Sequence, residues 1–408
     1  MNNIIKSILL FPYIHFHKFI FKISPIKKNR FVFMSYHGKY SDSPRYISEQ
    51  LHHQEPDYEI IWLVKKELIN SLPDYILTKD ISKLSAWWYL GSAQVVVDNV
   101  YCNKEYTWFA DVPFSEIMYR LHKFFFNKVK QHAYTTFHGT PVKKMDRDQV
   151  GNDIRGFICP NTTFILESEY SAKIYKHITF NNLQVVLLGS PRIEKLRLTD
   201  ERHSLSIKQR LGVNPNTKLI LYAPTFRNDG KDTQGKNVHR SGLDQLYSMK
   251  IDNLIETLHE KFGGEWKFIV RFHQHVEKLV DWDKLNELYP GLIINGNQIV
   301  EMNDCLSVSD ILLTDYSSCM FDYMELKRPC FLYVPDFERY TKIERGLYCD
   351  INRMPFLSAD NFDALLNQIQ IFDMDRYISN LNIFKEGIGY TEILGSTERI
   401  VNYILSKR

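Results

Sequence analysis

The sequence predicts an α/β protein with two doubly wound domains, each a parallel sheet covered by helices on both faces. Short apolar runs alternate with stretches of helical spacing along almost the whole chain. The chain has 408 residues, more than one ordinary core accommodates, so two domains are expected. A polar stretch at Leu196–Pro215 separates two sets of alternating elements. Together these features indicate one sheet before the polar stretch and one after it.

The first set of apolar runs predicts six strands. Runs such as Phe31-Val32-Phe33 are apolar without alternation, which is typical of strands buried on both faces. Amphipathic stretches between them predict helices at Pro44–His53, Ser82–Leu90 and Glu169–Lys176. The predicted strands are Arg30–Ser35, Glu59–Val64, Gln94–Asp98, Ala133–Phe137, Thr163–Leu166 and Gln184–Leu188.

The second set predicts five more strands and at least two helices. The helices are Gly242–Lys261 and Asn361–Ile371. Arg227–Arg240 is polar and contains glycine, so it is expected to be a long loop. The strands are Lys218–Ala223, Lys267–Arg271, Leu292–Asn295, Asp310–Thr314 and Cys330–Val334.

Composition and motifs exclude several classes of protein. The net charge of +3 is too small to indicate nucleic acid as a partner. The six cysteines show no zinc-site spacing, so no metal site is expected. The chain lacks the glycine-rich motifs of P-loop NTPases and dinucleotide dehydrogenases, and the serine elbow of α/β hydrolases. No cofactor is therefore expected.

Two segments have the composition of membrane-surface helices. Residues 1–24 combine Ile, Leu and Phe with lysines, but their uncharged run is too short to span a bilayer. We interpret them as an interfacial segment for an anionic membrane surface; the alternative is a helix docked on the protein's own core. Phe114–Gln131 is likewise basic and aromatic, with the same two interpretations.

Polar residues follow the strand Asp310–Thr314, at the carboxyl end where parallel sheets bind ligands. Asp315, Ser317 and Ser318 lie in a turn that leads into a helix, and such a turn can bind an anion. The alternative is that the serines simply cap the helix. Asp322 in that helix can meet ribose hydroxyls, or it lies on a solvated face together with Glu325.

Two other strand ends carry candidate site residues. His138, Gly139 and Thr140 follow one strand; a histidine there is suited to accept a proton, unless it is only part of a turn. Thr225 and Arg227 follow another, where a hydroxyl and a guanidinium can grip a phosphate. The alternative for Arg227 is a surface residue at the start of a loop.

A further pair lies beyond Lys267–Val270. Arg271 and His273 alternate with Phe272 and are expected on one face if the strand continues. The His-x-His pattern with His275 has no third ligand at supporting spacing, which disfavours a metal site. These strand-end groups suit the binding of a nucleoside diphosphate ester and an attack on it.

Seven segments occur in a fixed order along the chain. They are FHGTPVKKM (Phe137–Met145), LGSPRIEKL (Leu188–Leu196), LYAPTFR (Leu221–Arg227), VRFHQH (Val270–His275), DILLTDYSSCMFDY (Asp310–Tyr323), KRPCFLYVPDFERY (Lys327–Tyr340) and RGLYCD (Arg345–Asp350). Together they resemble the CDP-glycerol glycerophosphotransferase family of teichoic-acid primases and polymerases. The segments span about half of the chain, whereas the first 130 residues carry little of the resemblance.

The resemblance implies a GT-B-type fold, with two Rossmann-like domains facing a central cleft. Residues 25–200 would form an acceptor-side domain and residues 201–408 a domain that binds the CDP donor. It implies transfer of a polyol phosphate, foremost glycerol phosphate, from a CDP-linked donor to a lipid-linked or polymer acceptor, with release of CMP. It further implies peripheral attachment to the cytoplasmic face of the cell membrane.

The resemblance also assigns roles to single residues. His138 corresponds to the family's general base, and His273 to the histidine of its R-x-H-P segment, where this chain has Gln274 instead of proline. Ser317 and Ser318 would bind the diphosphate. Three alternatives stay open: a GT-B glycosyltransferase that uses a nucleotide sugar, a CDP-ribitol-dependent transferase, and a membrane-associated scaffold.

Overall fold

The computed structural model describes residues 20, 23–36, 38–99, 131–137, 139–145, 148, 162–178, 184–227, 241–299 and 301–408. Contacts divide the chain into two compact units, both discontinuous in sequence. Unit 1 comprises Met1–His138, Asp153–Glu194 and Tyr390–Arg408, and unit 2 comprises Gly139–Asn152 and Lys195–Gly389. The segments 1–19 and 101–130, which carry both predicted membrane helices almost entirely, lie outside the described residues.

Unit 1 contains a seven-stranded sheet in the order β3-β2-β1-β4-β5-β6-β7, and all its strand pairs are parallel. The strands are β1 (Lys27–Phe33), β2 (Glu59–Val64), β3 (Ile76–Asp80), β4 (Ala93–Asp98), β5 (His132–Thr135), β6 (Thr162–Leu166) and β7 (Gln184–Leu187). The helices described in this unit are α1 (Asp42–Gln54), α2 (Leu84–Ser92), α3 (Glu169–Ile178), α4 (Pro191–Arg197, at the unit boundary) and α15 (Ser396–Ser406).

The apolar run of β1 is buried on both faces of this sheet. Phe31 and Phe33 belong to one core cluster, while Val32 and Met34 belong to another. Successive strand residues point to opposite faces, so an unbroken apolar run supplies both cores at once. This explains why β1 does not alternate between apolar and polar residues.

The C-terminal helix α15 packs on unit 1, whereas the sequence placed residues 201–408 in a single C-terminal domain. Ile400, Val401 and Ile404 are buried in the same core cluster as α1. The carboxylate of Glu194 accepts a hydrogen bond from the backbone N–H of Thr397, 2.8 Å away, in the first turn of α15. Burial of these apolar side chains returns the end of the chain to the first unit.

Unit 2 contains a six-stranded parallel sheet in the order β10-β9-β8-β11-β12-β13. The strands are β8 (Lys218–Tyr222), β9 (Trp266–Val270), β10 (Ile293–Asn295), β11 (Ile311–Thr314), β12 (Cys330–Tyr333) and β13 (Leu357–Ala359). The helices described in this unit are α5 (Glu201–Arg210), α6 (Ser241–Ser248), α7 (Ile251–Phe262), α8 (Gln274–Glu277), α9 (Trp282–Leu288), α10 (Met302–Val308), α11 (Cys319–Tyr323), α12 (Phe337–Arg339), α13 (Phe362–Gln370) and α14 (Met374–Gly387).

The structure confirms the predicted fold class, and each of the eleven predicted strands overlaps an observed strand. The sequence missed β3 and β13, which lie at sheet edges. Edge strands are short or polar on one side, so they lack the apolar run that reveals a central strand. The predicted helix Gly242–Lys261 is two helices, α6 and α7, and the polar stretch after Leu196 contains α5. No described helix is long and apolar enough to cross a membrane.

Candidate functional site

The strand order of unit 2 reverses between β8 and β11, which are neighbours in the sheet. Ligands of open parallel sheets bind outside the carboxyl ends of the strands at such a reversal. Here the chain continues as Thr225–Arg227 after β8 and as Asp315–Ser318 after β11. The structure therefore brings two of the predicted groups of site residues together at the carboxyl ends of neighbouring strands.

Asp315 ties these two loops together. Its carboxylate is almost fully buried, and its Oδ1 accepts a hydrogen bond from the backbone N–H of Thr225, 2.8 Å away. The same oxygen accepts the backbone N–H of Tyr316. These contacts favour a structural task for Asp315, which the sequence had assigned to substrate.

Arg227 is completely buried, so the alternative of a surface arginine was wrong. Its Nε and Nη2 donate to the two carboxylate oxygens of Asp336, at 2.7 and 3.1 Å. Nη2 also lies 2.8 Å from Asp315 Oδ2, and Nη1 donates to the Thr225 carbonyl at 2.6 Å. The donors that were expected to grip a phosphate are thus directed at groups of the protein itself.

Two aromatic rings complete the surroundings of this guanidinium. Tyr316 and Tyr340 stack with their ring centroids 4.0 Å apart, and the guanidinium carbon lies 5.0 and 4.9 Å from the two centroids. A cation over aromatic faces gains electrostatic stabilisation, more so when it is removed from water. Burial raises the pKa of both tyrosines and keeps their hydroxyls neutral.

Two hydroxyls close to this cluster are buried without a hydrogen-bond partner among the described residues. They are Thr225 Oγ1 and Tyr222 Oη. Burial, together with the negative charge of Asp315, raises the pKa of Tyr222. Buried polar atoms nearly always have a partner, so an unsatisfied hydroxyl at a strand end is a candidate contact for a ligand or water.

Ser317 and Ser318 lie before the first turn of α11, and both are partly exposed. Ser318 occupies the N-cap position but its side chain makes no capping hydrogen bond. The simple capping interpretation therefore does not describe Ser318. Ser317 interacts instead with the thiol of Cys319, whose pKa is raised to about 11 by burial.

The carboxylates that follow are buried, so the interpretation as a solvated helix face was wrong. Asp322 and Glu325 are 7% and 6% exposed. Glu325 forms ion pairs with Arg197, at 3.4 Å, and with Lys385. Glu325 thus joins three segments of unit 2 through Arg197 and Lys385, while a substrate contact of Asp322 stays a prediction.

Arg271 and His273 do not share a strand face, because β9 ends at Val270. Arg271 Nη1 donates to the carbonyl of Gly296, 2.8 Å away, and to that of Ile299. His273 is exposed, and its ring lies 4.9 Å from that of Phe226. Through these hydrogen bonds Arg271 stabilises the segment Gly296–Ile299 that follows β10.

The segment after β5 belongs to unit 2 from Gly139 onward. His138 lies outside the described residues, so its role rests on the sequence. Gly139 has φ +146°, a backbone conformation that favours glycine, and Thr140 is 1% exposed. The side chain of Thr140 is therefore held within the protein.

Two charged residues at the carboxyl ends of these strands were not predicted from the sequence. Asp336 follows β12 and is the second carboxylate partner of Arg227; its position at a strand end was a usable signal. Lys143 is the other, and its pKa is lowered to about 8 by burial and by the positive charges of Arg345 and Arg227. In the described part of the chain, no three His, Cys, Asp or Glu side chains cluster as metal ligands.

Comparison with protein families gives one match along most of the chain. A model described as CDP-Glycerol:Poly(glycerophosphate) glycerophosphotransferase matches residues 16–406. A teichoic acid poly(glycerol phosphate) polymerase of Staphylococcus epidermidis is 29% identical over 345 residues, which are 79% of this chain and 42% of the relative. The chain thus spans less than half the length of that protein.

Other relatives match over their full length. A teichoic acid poly(glycerol phosphate) polymerase of Bacillus spizizenii is 28% identical over 437 residues, covering 98% of this chain and 100% of the relative. A solved structure of the wall teichoic acid polymerase TagF superposes with a TM-score of 0.76 at 23% identity, covering 98% of this chain and 95% of that one. This likeness shows a GT-B-like fold, with two Rossmann-like units.

Proposed function

Because the chain belongs to the CDP-glycerol:poly(glycerophosphate) glycerophosphotransferase family, we propose that it transfers glycerol phosphate from CDP-glycerol to a hydroxyl of a membrane-linked acceptor in teichoic-acid-like polymer synthesis. The observation that carries the proposal is the family match over residues 16–406, which includes every strand-end segment described above. Two relatives named as poly(glycerol phosphate) polymerases are 29% and 28% identical to this chain, whereas a poly(ribitol-phosphate) polymerase that matches 87% of the chain is 24% identical. The higher identity favours glycerol over ribitol.

The proposed reaction is an in-line displacement at the distal phosphorus of the donor. A bond forms between the acceptor oxygen and this phosphorus, and the bond to the bridging oxygen breaks. CMP leaves with that electron pair, while His138 takes the proton of the acceptor hydroxyl. Phosphoryl transfer depends mainly on positioning and on stabilisation of charge, which suits a site of hydroxyls, amides and cations.

Unit 2 is the proposed donor site. Ser317 and Ser318 are partly exposed residues at the carboxyl end of β11. The unsatisfied Thr225 hydroxyl lies in the loop after the neighbouring strand. We assign Arg227 and Asp315 to positioning, because they join the two loops through buried bonds. His273 is exposed and can approach a phosphate.

The test is transfer by the purified protein with CDP-glycerol, CDP-ribitol and a lipid-linked acceptor, read by CMP release and by the mass of the lipid product. We expect CMP and an added glycerol phosphate unit. His138→Ala should reduce kcat by about 10²–10⁴-fold, the typical contribution of a general base. His203→Ala is the matched control, since His203 is exposed on α5 and pairs with Asp304.

Two results would contradict the proposal. Release of a nucleoside diphosphate from a nucleotide sugar would indicate a glycosyltransferase instead. Full turnover by His138→Ala would refute the base assignment, and the absence of transfer from either CDP-polyol would refute the reaction.

We also propose that the protein binds the cytoplasmic face of the membrane through residues 1–24 and the basic, aromatic residues 114–131. Deleting residues 1–24 and replacing Lys123 and Lys128 with glutamine should release the protein from anionic liposomes. Sedimentation with liposomes measures this; unchanged binding by the altered protein would contradict the proposal.

A further inference from the structure

The carboxyl end of β11 requires a cation other than Arg227 if it is to bind a diphosphate. Arg227 carries one positive charge, and its two partners, Asp315 and Asp336, carry two negative charges. The net charge of this buried group is therefore −1. A diphosphate ester placed beside it is repelled unless another positive charge lies nearby, since Coulomb interactions are strong away from water.

The backbone of Lys143 is held at this place by a short antiparallel contact within unit 2. Lys143 forms an isolated bridge with Leu347. On either side, Tyr348 N–H donates to the Val142 carbonyl at 2.8 Å, and Lys144 N–H donates to the Gly346 carbonyl at 3.1 Å. The two chain segments therefore fix the position from which the Lys143 side chain extends.

The side chain of Lys143 lies among the charged residues of the site. Its electrostatic neighbours are Arg345, Asp315, Arg227 and Cys319, which come from three separate segments of unit 2. Within the part of unit 2 that the structure describes, its ammonium has no hydrogen bond and no ion pair. The residue as a whole keeps part of its surface exposed, while its ammonium is removed from water.

We propose that Lys143 is the residue whose ammonium binds the diphosphate of the CDP-linked donor, in the task that the sequence assigned to Arg227. This inference rests on the proposed function. An ammonium is a compact charge with three donors, and it suits phosphate oxygens. As the bond to the bridging oxygen breaks, negative charge grows on the departing CMP, and Lys143 stabilises it.

The direct test is calorimetric titration of CDP-glycerol into the full-length protein at pH 7, without acceptor. Lys143→Met should weaken binding about 10- to 100-fold, as for loss of a hydrogen bond to a charged group. Lys143→Arg should stay within a few-fold of the unaltered protein. Lys144→Met is the matched control, because it removes the same charge one residue away on the opposite side of the bridged segment, and it should bind almost normally.

The pH dependence gives a second, independent measurement. Burial and the positive charges of Arg345 and Arg227 lower the pKa of Lys143 to about 8, because together they outweigh the charge of Asp315. Binding of CDP-glycerol should therefore weaken above about pH 8. In Lys143→Arg this decline should be absent up to about pH 10, since arginine stays protonated. This measurement also decides the matter if Lys143→Met does not fold.

Equal affinity of Lys143→Met and the unaltered protein, or the same decline in Lys143→Arg, would overturn the assignment while leaving the proposed function intact. A failure of the unaltered protein to bind CDP-glycerol would overturn both. Thermal melting checks the fold of each variant, and Lys143→Met should melt no lower than the unaltered protein, because it removes a desolvated charge.

Discussion

Replacing Arg227 with methionine should destabilise unit 2 by about 3–5 kcal/mol, the usual cost of breaking a buried ion pair on one side. Arg227 is fully buried, and the side chain of Asp315 is only 2% exposed. Asp315 would therefore keep a negative charge that is removed from water and has lost its guanidinium partner. The side chain of Asp336 is 14% exposed and regains some hydration, which limits the loss. The gap left beside Tyr316 and Tyr340 adds to the cost.

The measurement is urea unfolding followed by circular dichroism at pH 7, with Arg353→Met as the matched control. The side chain of Arg353 is 88% exposed and lies 3.8 Å from Asp350. A surface pair of this kind contributes about 0–1 kcal/mol, so the control should unfold almost like the unaltered protein. Adding Asp315→Asn to Arg227→Met should recover part of the lost stability, because it removes the uncompensated charge.

A loss below about 1 kcal/mol in Arg227→Met would refute the structural assignment. If that variant were as stable as the unaltered protein but failed to bind CDP-glycerol, Arg227 would instead be the phosphate ligand that the sequence predicted. The two outcomes separate a positioning residue from a binding residue.

Three further substitutions test other parts of the structure. Thr225→Val should change the free energy of unfolding by no more than about 1 kcal/mol, since it removes an unpaired buried hydroxyl. It should weaken CDP-glycerol binding several-fold. A larger loss of stability in urea unfolding would show that the hydroxyl has a partner. Gly189→Ala should lower the free energy of unfolding by roughly 2–4 kcal/mol, because φ of Gly189 is +92° and the new Cβ would lie 2.7 Å from Ser396 Cβ. Gly212→Ala, with φ +66° and open space around it, is its control and should lose only about 1 kcal/mol in the same measurement. Glu325→Gln should lower the free energy of unfolding by about 1–3 kcal/mol, because it weakens two ion pairs. An unchanged melting temperature would show that these ion pairs do not stabilise the protein.

Hydroxyls and charges at strand ends were visible in the sequence, but their partners were not. Arg227 was correctly placed at the end of β8, and Asp315 at the end of β11. Whether the guanidinium faces a ligand or a carboxylate depends on Asp336, which is 109 residues away along the chain. Local patterns carry no information on such a distance. The same limit applies to Arg271, whose donors reach a loop that the sequence did not connect with it.

The sequence by itself determined the two parallel sheets and the family. Strands buried on both faces need unbroken apolar runs, and the family's short motifs keep their order along the chain. The strands and the family can therefore be predicted from the sequence without coordinates. Only the tertiary structure decided that α15 returns to unit 1 and that Lys143 lies beside Arg227 and Asp315. The segment 142–145 pairs with residues about 200 positions later, as the Met145–Tyr348 hydrogen bond illustrates. Such contacts follow from how the whole chain packs, and folding brings together charges that no local pattern relates.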